Sequence, residues 1–175
     1  KVAILDTGID PSHPALEGLS LSQMSLVPGE ILGARGHGTG IASIIAGQSP
    51  DFLGLAPSSE ILSIRVLDEN GKGDAFTIAK GILTAVNEGA QLINLSLGGM
   101  ELSPVIDSAI QFAKSKGAIL VSATGNSGLP EVSYPARHKD VIGVSSVDAQ
   151  SRVSSFSNYG KGVDIAAPGV GVVTA

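Results

Sequence analysis

Two short motifs carry side chains that could act together as a catalytic pair. The apolar run Val2–Leu5 leads into Asp6, and a Gly-His-Gly-Thr block containing His37 opens a second apolar run. A carboxylate can orient an imidazole, and an oriented imidazole can carry protons to and from a reacting group. The glycines beside His37 favour a functional role, because a substrate backbone could approach closely there. The pair still needs a nucleophile, and up to Ala175 no serine stands in a recognisable nucleophile setting.

The Asp-Thr-Gly motif at Asp6 has two other interpretations. An Asp before a Gly is common in turns, and an isolated short motif is only a hypothesis. Asp-Thr-Gly is also used by aspartic peptidases, in which two carboxylates share a proton. That chemistry belongs to an all-β fold, whereas this sequence has one copy of the motif in an α/β pattern. The aspartic peptidase interpretation would require a homodimer, because a single chain supplies only one such carboxylate.

Composition limits the class of molecule. The 175 residues are 43% hydrophobic and 15% charged, which predicts a single domain with a substantial core. The 11 Lys and Arg residues are dispersed in a chain of net charge −5, which argues against nucleic acid and anionic membranes as partners. The apolar runs are far shorter than the roughly 18 residues of a membrane span. The sequence has no cysteine, so disulfides and thiolate chemistry are excluded.

Short β-branched runs alternate with segments of helical period along the chain. This alternation predicts an α/β fold of three layers, a mostly parallel sheet with helices on both faces. The predicted strands are Val2–Leu5, Ile61–Val66, Leu92–Leu95, Ala118–Ser122, Val141–Val147 and Val163–Ala166, and the predicted helices cover about 38–46, 75–88 and 104–116.

Capping residues and strand ends refine this prediction. Asp74 should cap the middle helix, and Ser103 should cap the third helix, whose first position suits Pro104. Ligands of parallel sheets lie beyond the carboxyl ends of the strands. Asp6, Ser96 and the Gly125-Asn126 pair each follow a predicted strand, so we expect them to converge at one edge of the sheet.

The chain resembles the subtilisin-like serine peptidases. The resemblance rests on six blocks that occur in the family's order and span nearly the whole chain. It implies one subtilisin-like peptidase domain over residues 1–175, incomplete at both ends. These blocks are Ile4–Asp10 with His13-Pro14, Gly36–Thr39 through Ala46-Gly47, Gly54–Pro57, Ile93–Gly99, Ala123–Asn126, and Phe156-Ser157 with Ala167–Gly169.

The resemblance implies a role for several residues. Asp6 would be the carboxylate of a catalytic triad, His37 its general base, and Asn126 a donor to the tetrahedral oxyanion. An extended polypeptide substrate would pair with the backbone of a binding strand and place its side chains in pockets. The implied substrate-binding residues are Ser96, Leu97 and Gly98 in the binding strand, Ser122, Ala123, Thr124 and Gly125 in one pocket wall, Ser133 near the base of that pocket, and Ala75 and Ile78 in a more distant pocket. His13 and His138 are interpreted as surface histidines.

The sequence departs from the family pattern at two places. The family's nucleophilic serine lies in a Gly-Thr-Ser-x-Ala block after Ala-Pro-Gly, but here only six residues follow Gly169, so the serine is expected downstream of residue 175. Many relatives bind calcium through an Asp after His-Pro, where this chain has Ala15, and the Gln48–Phe52 segment is short for a calcium loop. No cofactor is required, and a structural calcium ion is not supported.

The expected function is that of a serine endopeptidase, inactive in the chain as given because the nucleophile is absent. The alternative is a catalytically dead pseudoprotease or scaffold that retains the peptide-binding groove. The resemblance alone favours a secreted or extracytoplasmic protein and admits a propeptide as a partner.

Overall fold

A seven-stranded sheet forms the centre of the molecule in the computed structural model, which describes residues 1–29, 36–50 and 52–175. Every neighbouring pair of strands in this sheet is parallel, in the order β2-β5-β1-β6-β7-β8-β9. The strands are β1 (Val2–Asp6), β2 (Leu21–Ser25), β5 (Ile61–Arg65), β6 (Leu92–Leu95), β7 (Ile119–Ala123), β8 (Ile142–Val147) and β9 (Ile165–Pro168). A small antiparallel pair, β3 (Gln48–Ser49) and β4 (Phe52–Leu53), lies apart from it.

Helices cover both faces of the sheet, as the alternating pattern predicts. They are α1 (His37–Ala46), α2 (Ala75–Asn87) and α3 (Pro104–Ser115), with a 3₁₀ turn at Pro14–Leu16. Successive residues of a strand point to opposite faces, so Leu5 joins the core beneath α2 and α3 while Ile4 joins the core beneath α1. The uninterrupted apolar character of β1 follows from burial on both sides.

Three strands were not predicted from the sequence. The edge strand β2 is half exposed and rich in polar residues, so its sequence lacks the apolar signal of the central strands. The β3–β4 pair consists of two-residue strands, which are too short for a periodic pattern. Asp51, which lies within the Gln48–Phe52 segment, is outside the described residues.

The predicted helix caps had different outcomes. The Asp74 carboxylate accepts hydrogen bonds from the backbone N–H groups of Phe76 and Thr77 at 2.9 and 3.0 Å, so it caps α2 as predicted. Ser103 occupies the N-cap position of α3, but its side chain makes no capping hydrogen bond, so that prediction was wrong. Pro104 occupies the first helical position and has no backbone N–H, so the first turn of α3 has one fewer donor that needs a cap.

Candidate active site

Asp6 and His37 meet where the end of β1 faces the start of α1. The Nδ1 atom of His37 lies 2.8 Å from Oδ1 and 2.9 Å from Oδ2 of Asp6. Asp6 is 1% exposed, whereas the side chain of His37 is 55% exposed. A buried carboxylate therefore holds one nitrogen of an imidazole whose remaining surface opens to solvent. This is the arrangement in which an Asp orients a His for proton transfer.

The residue after Asp6 fixes the carboxylate in place. Thr7 donates to Oδ1 of Asp6 from its backbone N–H at 2.7 Å and from its hydroxyl at 3.2 Å. The same hydroxyl accepts a hydrogen bond of 3.4 Å from the backbone N–H of Gly38, in the first turn of α1. Thr7 thus ties β1 to the helix that carries His37, a role that the sequence reasoning missed.

Gly38 permits the close approach of these two elements. A Cβ atom at this position would lie 2.2 Å from the carbonyl oxygen of Gly8 and 3.4 Å from Cβ of Asp6. The space that the missing side chain leaves is thus filled by the protein's own backbone rather than kept for substrate. Gly36 differs, since it has open space around it and a φ of +79° that only glycine adopts easily.

The hydrogen bond that His37 donates to Asp6 raises the pKa of His37, and partial burial of the ring opposes this effect. Because Nδ1 faces a carboxylate, the neutral imidazole donates its proton there and leaves Nε2 with a free lone pair. Nε2 can then accept a proton from a hydroxyl group. The imidazolium that results is stabilised by the same carboxylate.

A cleft of about 1090 Å³ begins at His37 and runs between the loop before α2 and the loop before α3. Its lining includes six residues predicted at the site, namely His37, Ala75, Ile78, Ser96, Leu97 and Gly98. Apolar side chains from Leu67, Ile106 and Tyr134 continue the wall. A groove of this volume could hold several residues of an extended peptide.

The other predicted wall residues lie behind this surface. Ser122 is 2% exposed, and its hydroxyl donates to the carbonyl oxygens of Leu95 and Leu97 at 3.1 and 3.4 Å. Thr124 is also buried, with its hydroxyl donating to the Asn158 carbonyl at 3.2 Å. Ser122 thus supports the binding strand from the interior, and Thr124 contacts the segment after β8, so a substrate could meet only the backbone of these two residues.

The loop after β7 carries the remaining predicted residues. Ala123 is half-buried at the end of β7, Gly125 follows with a φ of +106°, and Asn126 is exposed. Ser133 is buried and donates its backbone N–H to the Thr124 carbonyl at 2.8 Å. Because β7 is two parallel strands from β1, Asn126 and Asp6 stand at the same edge of the sheet, roughly 10 Å apart in the direction across the strands.

His138 is not a surface histidine, contrary to the sequence-based expectation. Its side chain is only 12% exposed, and Nε2 lies 3.6 Å from the Asp107 carboxylate of α3. That carboxylate also accepts a hydrogen bond of 2.7 Å from the hydroxyl of Tyr134. Desolvation and this hydrogen bond raise the pKa of Tyr134. His13 is half-buried and caps the 3₁₀ turn, accepting at Nδ1 from the Ala15 N–H at 3.2 Å.

Two general properties of the chain bear on metals and membranes. Among the described residues, no three or more His, Asp or Glu side chains are grouped so that they could hold a metal ion. The sequence-based statement that a structural calcium ion is not supported stays a prediction. No helix in the described ranges has the length and hydropathy needed to cross a membrane.

Comparisons with known proteins agree on one family. Subtilisin BL of Lederbergia lenta is 43% identical over 176 residues, covering 98% of this chain and 64% of the relative. Thermophilic serine proteinase of Bacillus sp. (strain AK1) is 38% identical, covering 99% of this chain and 45% of the relative. The solved structure described as prenylagaramide maturation protease PagA superposes with a TM-score of 0.88 at 34% identity, covering 99% of this chain and 64% of that one.

The chain therefore spans about half to two thirds of the length of these relatives. The sequence profile of the Subtilase family matches residues 1–174. With the parallel sheet and helices on both faces, this match establishes that the chain belongs to the Subtilase family of serine peptidases.

Proposed function

We propose that residues 1–175 belong to a serine endopeptidase in which Asp6 and His37 are two members of a catalytic triad. The observation that carries this proposal is the buried Asp6 carboxylate holding Nδ1 of His37 at the head of an open cleft. The third member, a nucleophilic serine, would come from sequence outside residues 1–175. The incomplete coverage of the relatives supports this part of the proposal.

The path of the last residues also supports it. The backbone N–H of Ala175 donates to the Ser43 hydroxyl of α1 at 2.9 Å. A Cβ atom on Gly40 would lie 3.3 Å from the hydroxyl of Thr174. Gly40 is one turn of helix from His37, so this segment passes beside the helix that carries the proposed base. Residues joined to Ala175 would start beside the helix that carries the imidazole.

The reaction would follow from the geometry of the pair. Nε2 of His37 would take the serine proton as the hydroxyl attacks the peptide carbonyl, and Asp6 would stabilise the imidazolium. The side-chain amide of Asn126 would donate to the oxyanion of the tetrahedral intermediate. His37 would then protonate the leaving amine, and water would release the acyl group by the same steps. Gly99 is already paired with Tyr134, so the peptide would lie along Ser96–Gly98 from the cleft side.

Labelling by a fluorophosphonate probe tests the proposal. The full-length polypeptide containing residues 1–175 should be labelled on a serine outside them, whereas residues 1–175 alone should not be labelled. Labelling within residues 1–175 would contradict the placement of the nucleophile. A full-length polypeptide that binds extended peptides but is neither labelled nor active would instead be a pseudoprotease. Secretion and a propeptide are carried over from the family resemblance as predictions.

A further inference from the structure

Asn158 is a buried polar residue that the sequence reasoning missed. It lies between β8 and β9, directly after the Phe156-Ser157 block, and it is 1% exposed. A buried amide side chain is stable only if its oxygen and nitrogen have hydrogen-bond partners. The partners of the Asn158 side chain all belong to the segment that carries Asn126 or to the pocket residue Ser133.

Asn158 holds the chain on both sides of Asn126. Its backbone N–H donates to the carbonyl of Gly125 at 2.9 Å. Its Oδ1 atom accepts from the backbone N–H of Ser127 at 3.0 Å and of Leu129 at 3.1 Å. Since backbone N–H groups can only donate, these two bonds also fix which end of the amide faces the loop.

The side-chain nitrogen and the carbonyl of Asn158 contact the pocket base and the residue after β7. Its Nδ2 atom donates to the Ser133 hydroxyl at 3.3 Å, and its carbonyl accepts from the Thr124 hydroxyl at 3.2 Å. Gly125 makes room for this amide, because a Cβ atom there would lie 2.4 Å from Nδ2. Asn158 therefore connects the predicted oxyanion loop to two of the predicted pocket residues.

We propose that Asn158 is a positioning residue for the oxyanion hole, acting through Asn126 without touching the substrate itself. The inference rests on the proposed endopeptidase function. A donor stabilises an oxyanion only when it is held in place before the reaction, and a displacement of about 1 Å can reduce the rate about a hundredfold. The two hydrogen bonds of Oδ1 supply that constraint on the 127–129 backbone.

Kinetics of the full-length enzyme on a peptide p-nitroanilide test the proposal. Asn158→Ala should reduce kcat about tenfold to a hundredfold. KM should stay within about threefold, since groups that act only in the transition state leave ground-state binding unchanged. Asn158→Asp keeps an oxygen acceptor for both amides and should restore kcat to within about fivefold of the wild type. Ser154→Ala is the matched control, because Ser154 is also buried but its hydroxyl bonds the Ser146 hydroxyl and not Asn158 or the loop.

A double-mutant cycle separates positioning from general structural support. If Asn158 acts through Asn126, then Asn158→Ala should reduce kcat by no more than about twofold in an Asn126→Ala background. An equal loss in both backgrounds, or an unchanged kcat in the single variant, would overturn the inference. If Asn158→Ala does not fold by circular dichroism, Asn158→Ser replaces it, since its shorter side chain cannot reach both amides.

Hydrogen exchange tests the inference even without activity. The amides of Ser127 and Leu129 should exchange faster in Asn158→Ala than in the wild type, and at wild-type rates in Asn158→Asp and Ser154→Ala. Unchanged protection in Asn158→Ala would overturn the inference. A wild-type polypeptide that hydrolyses no peptide but shows the expected exchange would refute the proposed function and leave the positioning of the loop intact.

Discussion

Asp6 is the residue on which the proposed chemistry depends most directly. Its carboxylate is buried, is held by Thr7, and contacts His37 with both oxygens. Replacing it with Asn keeps the shape but gives the imidazole a partner that favours the wrong tautomer, and in triads of this kind turnover falls about 10⁴-fold. We therefore expect Asp6→Asn in the full-length polypeptide to fold normally and to lose activity to that extent in a peptidase assay.

Asp10→Asn provides the matched control for this prediction. Asp10 lies in the same loop, but its carboxylate accepts only from the backbone and hydroxyl of Ser12 in the described structure. Its turnover should stay within about twofold of the wild type, as for surface substitutions away from a site. Equal losses in both variants would mean that the loop as a whole, and not the Asp6 carboxylate, supports activity.

The raised pKa of His37 predicts a pH profile. The base form is the neutral imidazole, so kcat/KM should increase as the pH rises through a midpoint above 6.5, the ordinary value. In Asp6→Asn the midpoint should move down, because the hydrogen bond that raises the pKa is weakened. The contribution of this pair to stability has the opposite pH dependence: it is full below pH 6.5 and is lost as the pH rises through the folded-state pKa. If NMR titration of the His37 ring protons gave a midpoint at or below 6.5, that result would contradict the raised pKa of His37.

At the scale of elements, the N-terminus of α2 positions one wall of the cleft. Asp74 accepts from two backbone N–H groups and from the Thr77 hydroxyl, so Asp74→Ala should destabilise the protein by about 1 kcal/mol in urea denaturation. Ser103→Ala is the comparison, since that side chain makes no capping bond and its loss should cost much less.

The cap of α2 should also respond to pH. Hydrogen bonds from Thr77 lower the pKa of Asp74, so its contribution is present above the ordinary pKa of 3.8 and is lost as the pH falls through the lower folded-state value. The difference between Asp74→Ala and the wild type should therefore shrink in strong acid. A difference that stays constant down to pH 2 would show that the carboxylate charge plays no part in the cap.

The sequence was informative where apolar runs were long and buried. The strands β1, β6 and β8 and the helices α2 and α3 lie within one or two residues of their predicted bounds, because continuous apolar runs and helical periods come from burial. The half-exposed edge strand β2 gave no such signal. The sequence also predicted Asp6 and His37 as a pair, from the chemistry of the two motifs and from the family resemblance.

Long-range hydrogen bonds explain what the sequence could not predict at the site. Asn158 contacts residues that precede it by about thirty positions, and no local pattern encodes those contacts. Ser122 and Thr124 stand next to the predicted oxyanion loop, yet their hydroxyls point into the interior. For His138, the Lys and Asp neighbours in sequence suggested a surface loop, whereas the ring is largely buried and its Nε2 faces Asp107 of α3.

At the scale of the whole molecule, the two faces of the sheet are covered unequally. The cores beneath α1 and beneath α2 and α3 are closed, but one face of β7, β8 and β9 is not. Ile119, Ile142 and Ile165 on neighbouring strands are 51%, 36% and 54% exposed. Adjacent apolar residues exposed along a sheet are typical of a surface that another element covers. On the proposal above, sequence outside residues 1–175 covers this face.

This uncovered face leads to a prediction about stability. Full burial of an isoleucine contributes about 1.5–3 kcal/mol, so three side chains left about half exposed forgo roughly 3 kcal/mol. Because domains are stable by only about 5–15 kcal/mol, we expect residues 1–175 alone to melt at a lower temperature and less cooperatively than the full-length polypeptide, and to bind a hydrophobic dye.

The variant Ile165→Thr tests whether this face is responsible. It should destabilise the full-length polypeptide by about 1 kcal/mol or more and residues 1–175 much less. Leu55→Ser is the control, since Leu55 is 90% exposed and its replacement should be neutral in both. Equally sharp melts of the two proteins, with equal effects of Ile165→Thr, would show that the face is a finished surface.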